Sequence, residues 1–293
     1  MYKNIVDLVH LRYLPPALHK QNIMELFKAW NLQTLYIRAF DRNYLEFPQL
    51  QYFCCLFITG HPPKYVHQNL QSLSWLRPNH CTKNFFTHVP NLKKIRIFGE
   101  KIECNDCIEN LVGLQQLERL NIHGNRWHYT IPKMIQINSH IVLLKSLKRL
   151  KFRSTCFGWN GINVLCKLPR LEVLELSGAC VGEEWELPED DKFCQLIVLK
   201  IGATNLEDWK ATGDHFPKLE HLSLFSCKEL KEIPSEFAEI STLKSIQLRR
   251  CLPSVVASAK EIKEEQLDYL NNIVNVVVTK QHAMATSFPV FEH

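Results

Sequence analysis

One spacing recurs along most of this chain: an apolar residue, two variable residues, a second apolar residue, one variable residue and a third apolar residue. Its clearest copies are Leu117/Leu120/Ile122, Leu147/Leu150/Phe152, Leu171/Leu174/Leu176, Leu196/Leu199/Ile201, Leu219/Leu222/Leu224 and Leu243/Ile246/Leu248. Looser copies precede them at Leu32/Leu35/Ile37, Leu50/Phe53/Cys55, Leu70/Leu73/Trp75 and Leu92/Ile95/Ile97, after a degenerate start at Leu11/Leu14. Between successive first residues the intervals are 21, 18, 20, 22, 25, 30, 24, 25, 23 and 24 residues. A self-similar period of this length denotes stacked structural repeats, each unable to bury its apolar side alone.

The spacing has a physical reading. The fourth, fifth and sixth positions alternate, which is a short strand with one face in and one face out. The first position turns inward from the preceding bend. Three residues beyond the last apolar position stand Asn125, Cys227 and Cys251, whose side chains can bond backbone groups that a turn leaves unpaired. The return half of the unit shows three-residue spacing, as in Ile162, Leu165, Leu168 and in Ile233-Pro234, Phe237, Ile240, which suits 3₁₀ or short helical pieces. The predicted fold is therefore an α/β leucine-rich-repeat solenoid. Short parallel strands line the concave face of a horseshoe, and irregular, 3₁₀ or helical segments form its convex side.

About ten to eleven repeats would occupy residues 1–253. Residues 254–293 would close the last repeat with a helix and a strand. A Ser258-x-x-Glu261 capping box, a stripe of Val256, Ala259, Ile262, Leu270 and Ile273, and a strand over Ile273–Val278 are the expected pieces. Nothing comparable opens the chain, and an uncapped repeat exposes apolar edge surface. The expectation is that something precedes residue 1 or packs against it.

Composition narrows the class further. The net charge of +5 is too small by itself to imply nucleic acid. The opening residues hold no basic segment followed by an apolar one, and no run approaches a membrane span. Eleven cysteines without a framework spacing point to a reducing, cytoplasmic setting and to thiols used as small buried apolar groups.

The segment Phe216-Pro217-Lys218-Leu219-Glu220-His221-Leu222-Ser223-Leu224, followed by Cys227 and Leu230-Lys231-Glu232-Ile233-Pro234, resembles the repeats of plant intracellular immune receptors. Residues 206–251 and the tail 258–269 are similar to the late blight resistance protein family of nightshade plants, and His10–Leu14 resembles the start of its repeat domain. The resemblance covers essentially the whole chain, strongest from about residue 165 and weaker across 40–110. It implies a protein-binding module for defense, one that recognises a pathogen effector or a guarded host protein and restrains a nucleotide-binding switch domain of the same or a paired receptor. The coiled-coil and nucleotide-binding domains of such receptors are not in this sequence. None of its ten glycines sits in GxxxxGK[ST], so no nucleotide or other cofactor is carried over. A different class, the substrate-recognition repeats of a ubiquitin-ligase complex, would need an F-box helical segment ahead of the repeats, and residues 1–10 leave no room for one.

Metal and catalytic constellations fare poorly on the repeat frame. Cys104-x₂-Cys107, fifteen residues, then His123-x₄-His128 fits a zinc spacing. The frame puts the cysteines on the return side and His123 on the strand side, so they cannot meet one ion. No HExxH or GxSxG motif is present, no catalytic residue is assigned, and no small-molecule substrate is expected.

The frame also places charge. Lys93, Lys94, Arg96, then Arg119 and His123, then Lys148, Arg149, Lys151 and Arg153 fall on outward strand positions of three adjacent repeats. Strands about 4.8 Å apart make these one basic zone on the concave face. It is either plain solvated surface or a docking site for an acidic partner. Nucleic acid is not expected, because the aromatic interleaving needed for base stacking is missing from the frame there. Further along, Glu172, Glu175, Lys200, His221, Ser223, Phe225, Gln247, Arg249 and Arg250 make a mixed zone suited to specific recognition. Six carboxylates at Glu183, Glu184, Glu186, Glu189, Asp190 and Asp191 read as a solvated loop. An exposed Trp185 within it would be a further contact residue.

Overall fold

The computed structural model describes residues 12–14, 31–37, 49–58, 63, 65–99, 104–124, 137 and 139–279. Leu11, Asn125, His128 and residues 280–293 lie outside them.

A single parallel sheet of twelve strands runs through the described chain in sequence order. From the second strand on, its members are Thr34–Ile37, Tyr52–Ile58, Ser72–Leu76, Lys94–Gly99, Arg119–Gly124, Arg149–Arg153, Val173–Ser177, Val198–Gly202, His221–Phe225, Ser245–Arg249 and Asn275–Thr279. Tyr13–Leu14 begins it. Each repeat pairs with the next at the same frame position: Leu120, Leu150, Leu174, Leu199, Leu222 and Ile246 form one row across six strands. All six are buried. Burying each such side chain contributes about 1.5–3 kcal/mol, and the strand order follows because no repeat has another surface to bury against.

The turn after each strand is equally regular. Ser154, Gly178, Ala203, Ser226 and Arg250 occupy one frame position, and all have φ between 51° and 55°. Their conformation keeps the ladder going: Ser154 N–H donates to the Ser177 carbonyl, Ala203 to Phe225, and Ser226 to Arg249, at 2.7–3.0 Å. The next residue closes the turn with its side chain. Thr155 donates to the Ala179 carbonyl, while the Cys227 and Cys251 thiols reach back to the Ile201 and Leu224 carbonyls of the preceding repeat. The neighbouring Cys227 thiol holds the Cys251 thiol below its ordinary value.

The convex side carries 3₁₀ pieces at Ser139–Leu143, Asn163–Lys167, Gly213–His215 and Ser235–Glu239, and helices at Lys83–Thr87 and Cys104–Leu111. It also carries two small parallel sheets. Phe157–Gly158 pairs with Cys180–Val181, and Glu184–Glu186 pairs with Asp208–Lys210. The second corrects the solvated-loop reading. Glu-Trp-Glu is a strand whose carboxylates flank Lys210 and whose tryptophan turns inward. Trp185 is fully buried, so it is not a contact residue. It stacks between Trp159 at 4.8 Å and Trp209 at 5.2 Å, and its Nε1 donates to Asn163 Oδ1 at 2.9 Å. Dense charge on either side hides the two-residue alternation.

After the last full repeat, Pro253–Leu270 is a helix that begins with proline at its first turn and no side-chain cap. The expected capping box is absent: Ser258 lies inside the helix, donating to the Val255 carbonyl and accepting from Ile233 N–H. Val255, Ser258, Ala259, Ile262 and Gln266 form the buried face, whereas Leu270 and Ile273 are exposed. Gln266 donates to the carbonyls of Phe237 and Ile240 at 3.2 and 2.8 Å, which ties the helix to the preceding 3₁₀ turn. The final strand starts at Asn275 rather than Ile273 and extends the main sheet beside Ser245–Arg249.

Candidate functional site: the concave face

The outward residues of the main sheet form rows that cross the repeats. One row reads Lys94, Arg119, Arg149, Val173, Val198, His221 and Ser245. A second reads Arg96, Asn121, Lys151, Glu175, Lys200, Ser223 and Gln247, and a third reads Phe98, His123, Arg153, Ser177, Gly202, Phe225 and Arg249. The residues that the repeat frame points outward are thus brought onto one surface, and Trp185, expected in a connecting loop, is not part of it. Lys93, Lys148 and Glu172 line the edge where the strands begin. Arg250 stands just past a strand end, in the left-handed turn.

The rows also pair charges that the linear sequence keeps apart. Lys148 meets Glu118 at 3.3 Å. Glu175 accepts from Lys151 at 2.7 Å and lies 3.4 Å from Lys200. Burial pushes the Glu175 carboxyl up, but the two ammoniums overcome it and hold the group below its ordinary value. Lys148 and Lys151 are therefore the members of the basic zone that have carboxylate partners. Arg149 and Arg153 remain exposed, with no ion pair to described residues. In the mixed zone the Arg249 guanidinium lies 5.7 Å over the Phe225 ring, and His221 Nδ1 is 2.8 Å from Ser245 Oγ.

His123 does not add to the positive charge. Burial first, then Arg153 and Lys151, lower it to about 4, so it is neutral at neutral pH. Its native value lies below its ordinary 6.5. The unfolded chain accordingly binds the proton first, and stability falls as pH drops through the window between the two values. Denaturant titrations at pH 7 and 4.5 should show a smaller loss at low pH in His123→Gln than in the parent chain. An equal loss in both would rule His123 out as a source of acid sensitivity.

Aromatic rings do flank the basic zone, contrary to the expectation from the frame. Trp75 and Phe98 lie 5.6 Å apart, and Phe98 and His123 lie 5.2 Å apart, both edge to face. They are half-buried against one another rather than offered as open stacking platforms. The spacing makes Trp75 an inward repeat residue. It sits instead in a bulge, with φ of 69°, where the register shifts between Leu73 and Leu76.

Beside this bulge the concave face deepens into a cavity of about 390 Å³. Tyr36, Tyr52, Cys54, Ser72 and Ser74 line it together with Lys93, Lys94, Arg96 and Arg119. Sequence reasoning misses the tyrosines and serines because they belong to the loosely spaced repeats. Their outward frame positions are the available signal.

No group of three or more histidine, cysteine or acidic residues able to hold a metal occurs among the described residues. Cys107 is buried on the convex helix, donating to the Pro78 carbonyl, while His123 faces the concavity. Among the described residues no helix is long and apolar enough to cross a membrane.

In-register parallel strands, one per repeat, with 3₁₀ returns and a buried leucine row define a leucine-rich-repeat solenoid. The homologues of this chain are the late blight resistance protein homologs of the nightshade Solanum demissum. R1B-13 is 30% identical over 94% of this chain, and R1B-16 is 28% identical over 96%. A third homolog from the same plant is 42% identical over 95% of this chain. The chain spans only part of these relatives: 25%, 23% and 38% of their lengths, respectively. No family model matches the chain. Among solved structures, an internalin from Listeria monocytogenes aligns over 92% of this chain and 83% of its own, at 12% identity and a TM-score of 0.46. A leucine-rich-repeat protein of Leptospira interrogans aligns over 91% and 93%, at 12% identity and a TM-score of 0.33.

Proposed function

We propose that this chain is the protein-binding leucine-rich-repeat module of a plant disease-resistance protein. Acting in the cytoplasm, its concave face would recognise an effector or guarded host protein and help hold a nucleotide-binding switch domain inactive. The observation that carries the reading is an outward side-chain ladder from Lys94 to Arg249 whose character changes midway. Its first part keeps unpaired arginines, which suits an acidic domain surface. Its second part interleaves Glu172, Glu175, Lys200, His221, Phe225, Gln247 and Arg249, which suits discrimination between protein ligands. Similarity to resistance protein homologs over nearly the whole chain supports the biological setting.

Arg149 and Arg153 give the cleanest test, since Lys148 and Lys151 already have carboxylate partners. Reversing both arginines to glutamate is expected to weaken association with the switch domain at least about tenfold, in line with double loss of charge complementarity, and to raise resting activity of the assembled receptor. Unchanged association and resting activity would remove the inhibitory role. Exchanging the outward residues from Glu172 to Arg249 for those of the 42%-identical homolog is expected to transfer ligand specificity.

A further inference from the structure

The cavity of about 390 Å³ on the early repeats differs electrostatically from the rest of the concave face. Elsewhere the unpaired Arg149 and Arg153 stand exposed, and lysines have carboxylate partners: Lys148 has Glu118, Lys151 and Lys200 share Glu175, and Lys244 has Glu220. In the cavity, Lys93, Lys94, Arg96 and Arg119 converge, and the single lining carboxylate, Glu118, is the one engaged by Lys148. None of these four cations forms an ion pair with described residues. Arg96 Nε is buried without a hydrogen-bond partner among them. Leaving a buried charged donor unsatisfied costs stability that an arriving acceptor returns. Lys94 feels the crowding: burial, then Arg96 and Arg119, make its proton easier to lose.

The backbone is shaped for the same spot. Across the sheet from Arg96, the Ser72–Leu76 strand inserts an extra residue between Leu73 and Leu76. Trp75 takes a left-handed φ of 69° there, a conformation that a bulky residue adopts only when its surroundings hold it. Bulges of this kind re-aim side chains beside binding sites. Ser72 and Ser74, which lie on either side of Leu73, line the same cavity, with Ser72 directly beside Lys94 in the sheet, although little of either is exposed.

We infer that this cavity binds a phosphate monoester, presented as a phosphorylated side chain of a partner protein. A carboxylate brings one negative charge and would leave most of the cationic lining uncompensated. A phosphate monoester brings nearly two, with three strong acceptor oxygens for guanidinium, ammonium and hydroxyl donors. The volume exceeds what phosphate alone fills and lies within the range of organic ligand sites, leaving Tyr36 and Tyr52 to cover the carrier side chain. The inference rests on the protein-binding reading above, narrowing one patch of that surface to a chemical class. Arg149 and Arg153, which test that reading, do not line the cavity.

Isothermal titration of the whole chain with O-phosphotyrosine, O-phosphoserine, inorganic phosphate and glutamate tests it. A phosphoamino acid is expected to bind saturably and at least about tenfold more tightly than inorganic phosphate or glutamate. Arg119→Gln, at an exposed position, and Arg96→Gln are each expected to weaken that binding about tenfold or more, the scale of one lost charge-assisted hydrogen bond. Lys244→Gln, which removes a paired ammonium outside the cavity, should leave it within twofold. Circular dichroism of each variant confirms the fold, and Arg119→Gln carries the test if Arg96→Gln unfolds. Inorganic phosphate binding as tightly as both phosphoamino acids would overturn the assignment in favour of a free anion. Glutamate binding equally well would overturn the phosphate class. A short oligouridylate displacing the phosphoamino acid with higher affinity would overturn it in favour of nucleic acid. Equal losses in Lys244→Gln and Arg119→Gln would reduce it to bulk charge.

Discussion

Trp185→Ala is expected to lower the unfolding free energy by about 3–5 kcal/mol, the range for removing a fully buried tryptophan. The ring sits in the middle of a convex-side stack, between Trp159 and Trp209, with Phe216 against its edge. Its Nε1 also satisfies Asn163, which in turn donates to the Glu186 carbonyl. Truncation therefore opens a cavity and leaves a buried amide short of a partner. In a solenoid each repeat is held mainly by its neighbours, so a weakened junction has a second consequence. The repeats before and after it should begin to unfold separately, and the urea transition should broaden or split. Trp185→Phe keeps an aromatic ring in the stack and should lose much less. A single sharp transition with a loss under about 1 kcal/mol would mean that the stack is not a principal junction.

Gly124→Ala is expected to cost about 2–3 kcal/mol, the upper part of the usual range for overpacking. A Cβ at this strand end would overlap the Ser154 carbonyl oxygen and lie 3.0 Å from its carbon. That carbonyl belongs to a left-handed turn residue whose N–H is bonded to the next repeat, so the backbone has little room to yield. Gly113 provides the comparison: a Cβ there meets nothing within 4 Å. Gly113→Ala should be neutral or slightly stabilising, because alanine restricts the unfolded chain. Denaturant unfolding of both variants checks the pair. Equal effects would show that neighbouring repeats can shift apart without loss.

Much of the fold is legible because a repeat announces itself by arithmetic. Spacing alone assigns Leu120, Leu150, Leu174, Leu199, Leu222 and Ile246 to one frame position, and they form one buried row. The frame also places the outward residues on one face, since strand side chains alternate. It fails where local geometry departs from the average repeat. Trp75 counts as a third apolar position, yet a bulge moves that role to Leu76. Trp185 is masked by six nearby carboxylates, and its burial depends on rings in the neighbouring repeats. Ser258 matches a capping box, but a helix that starts at Pro253 makes it an interior residue.

The sequence by itself determined a one-dimensional stack of about two dozen residues per unit, the inward leucines and most of the outward strand side chains. A periodic pattern suffices for that, because each unit meets only its neighbours. Which of those side chains keep an unpaired charge was decided by the tertiary structure alone. Glu118 and Lys148 are thirty residues apart, and so are Asn121 and Lys151. Only the in-register sheet sets one beside the other, pairing Lys148 with Glu118, silencing His123 beside Arg153, and leaving Lys93, Lys94, Arg96 and Arg119 to face one cavity without a counter-charge among the described residues.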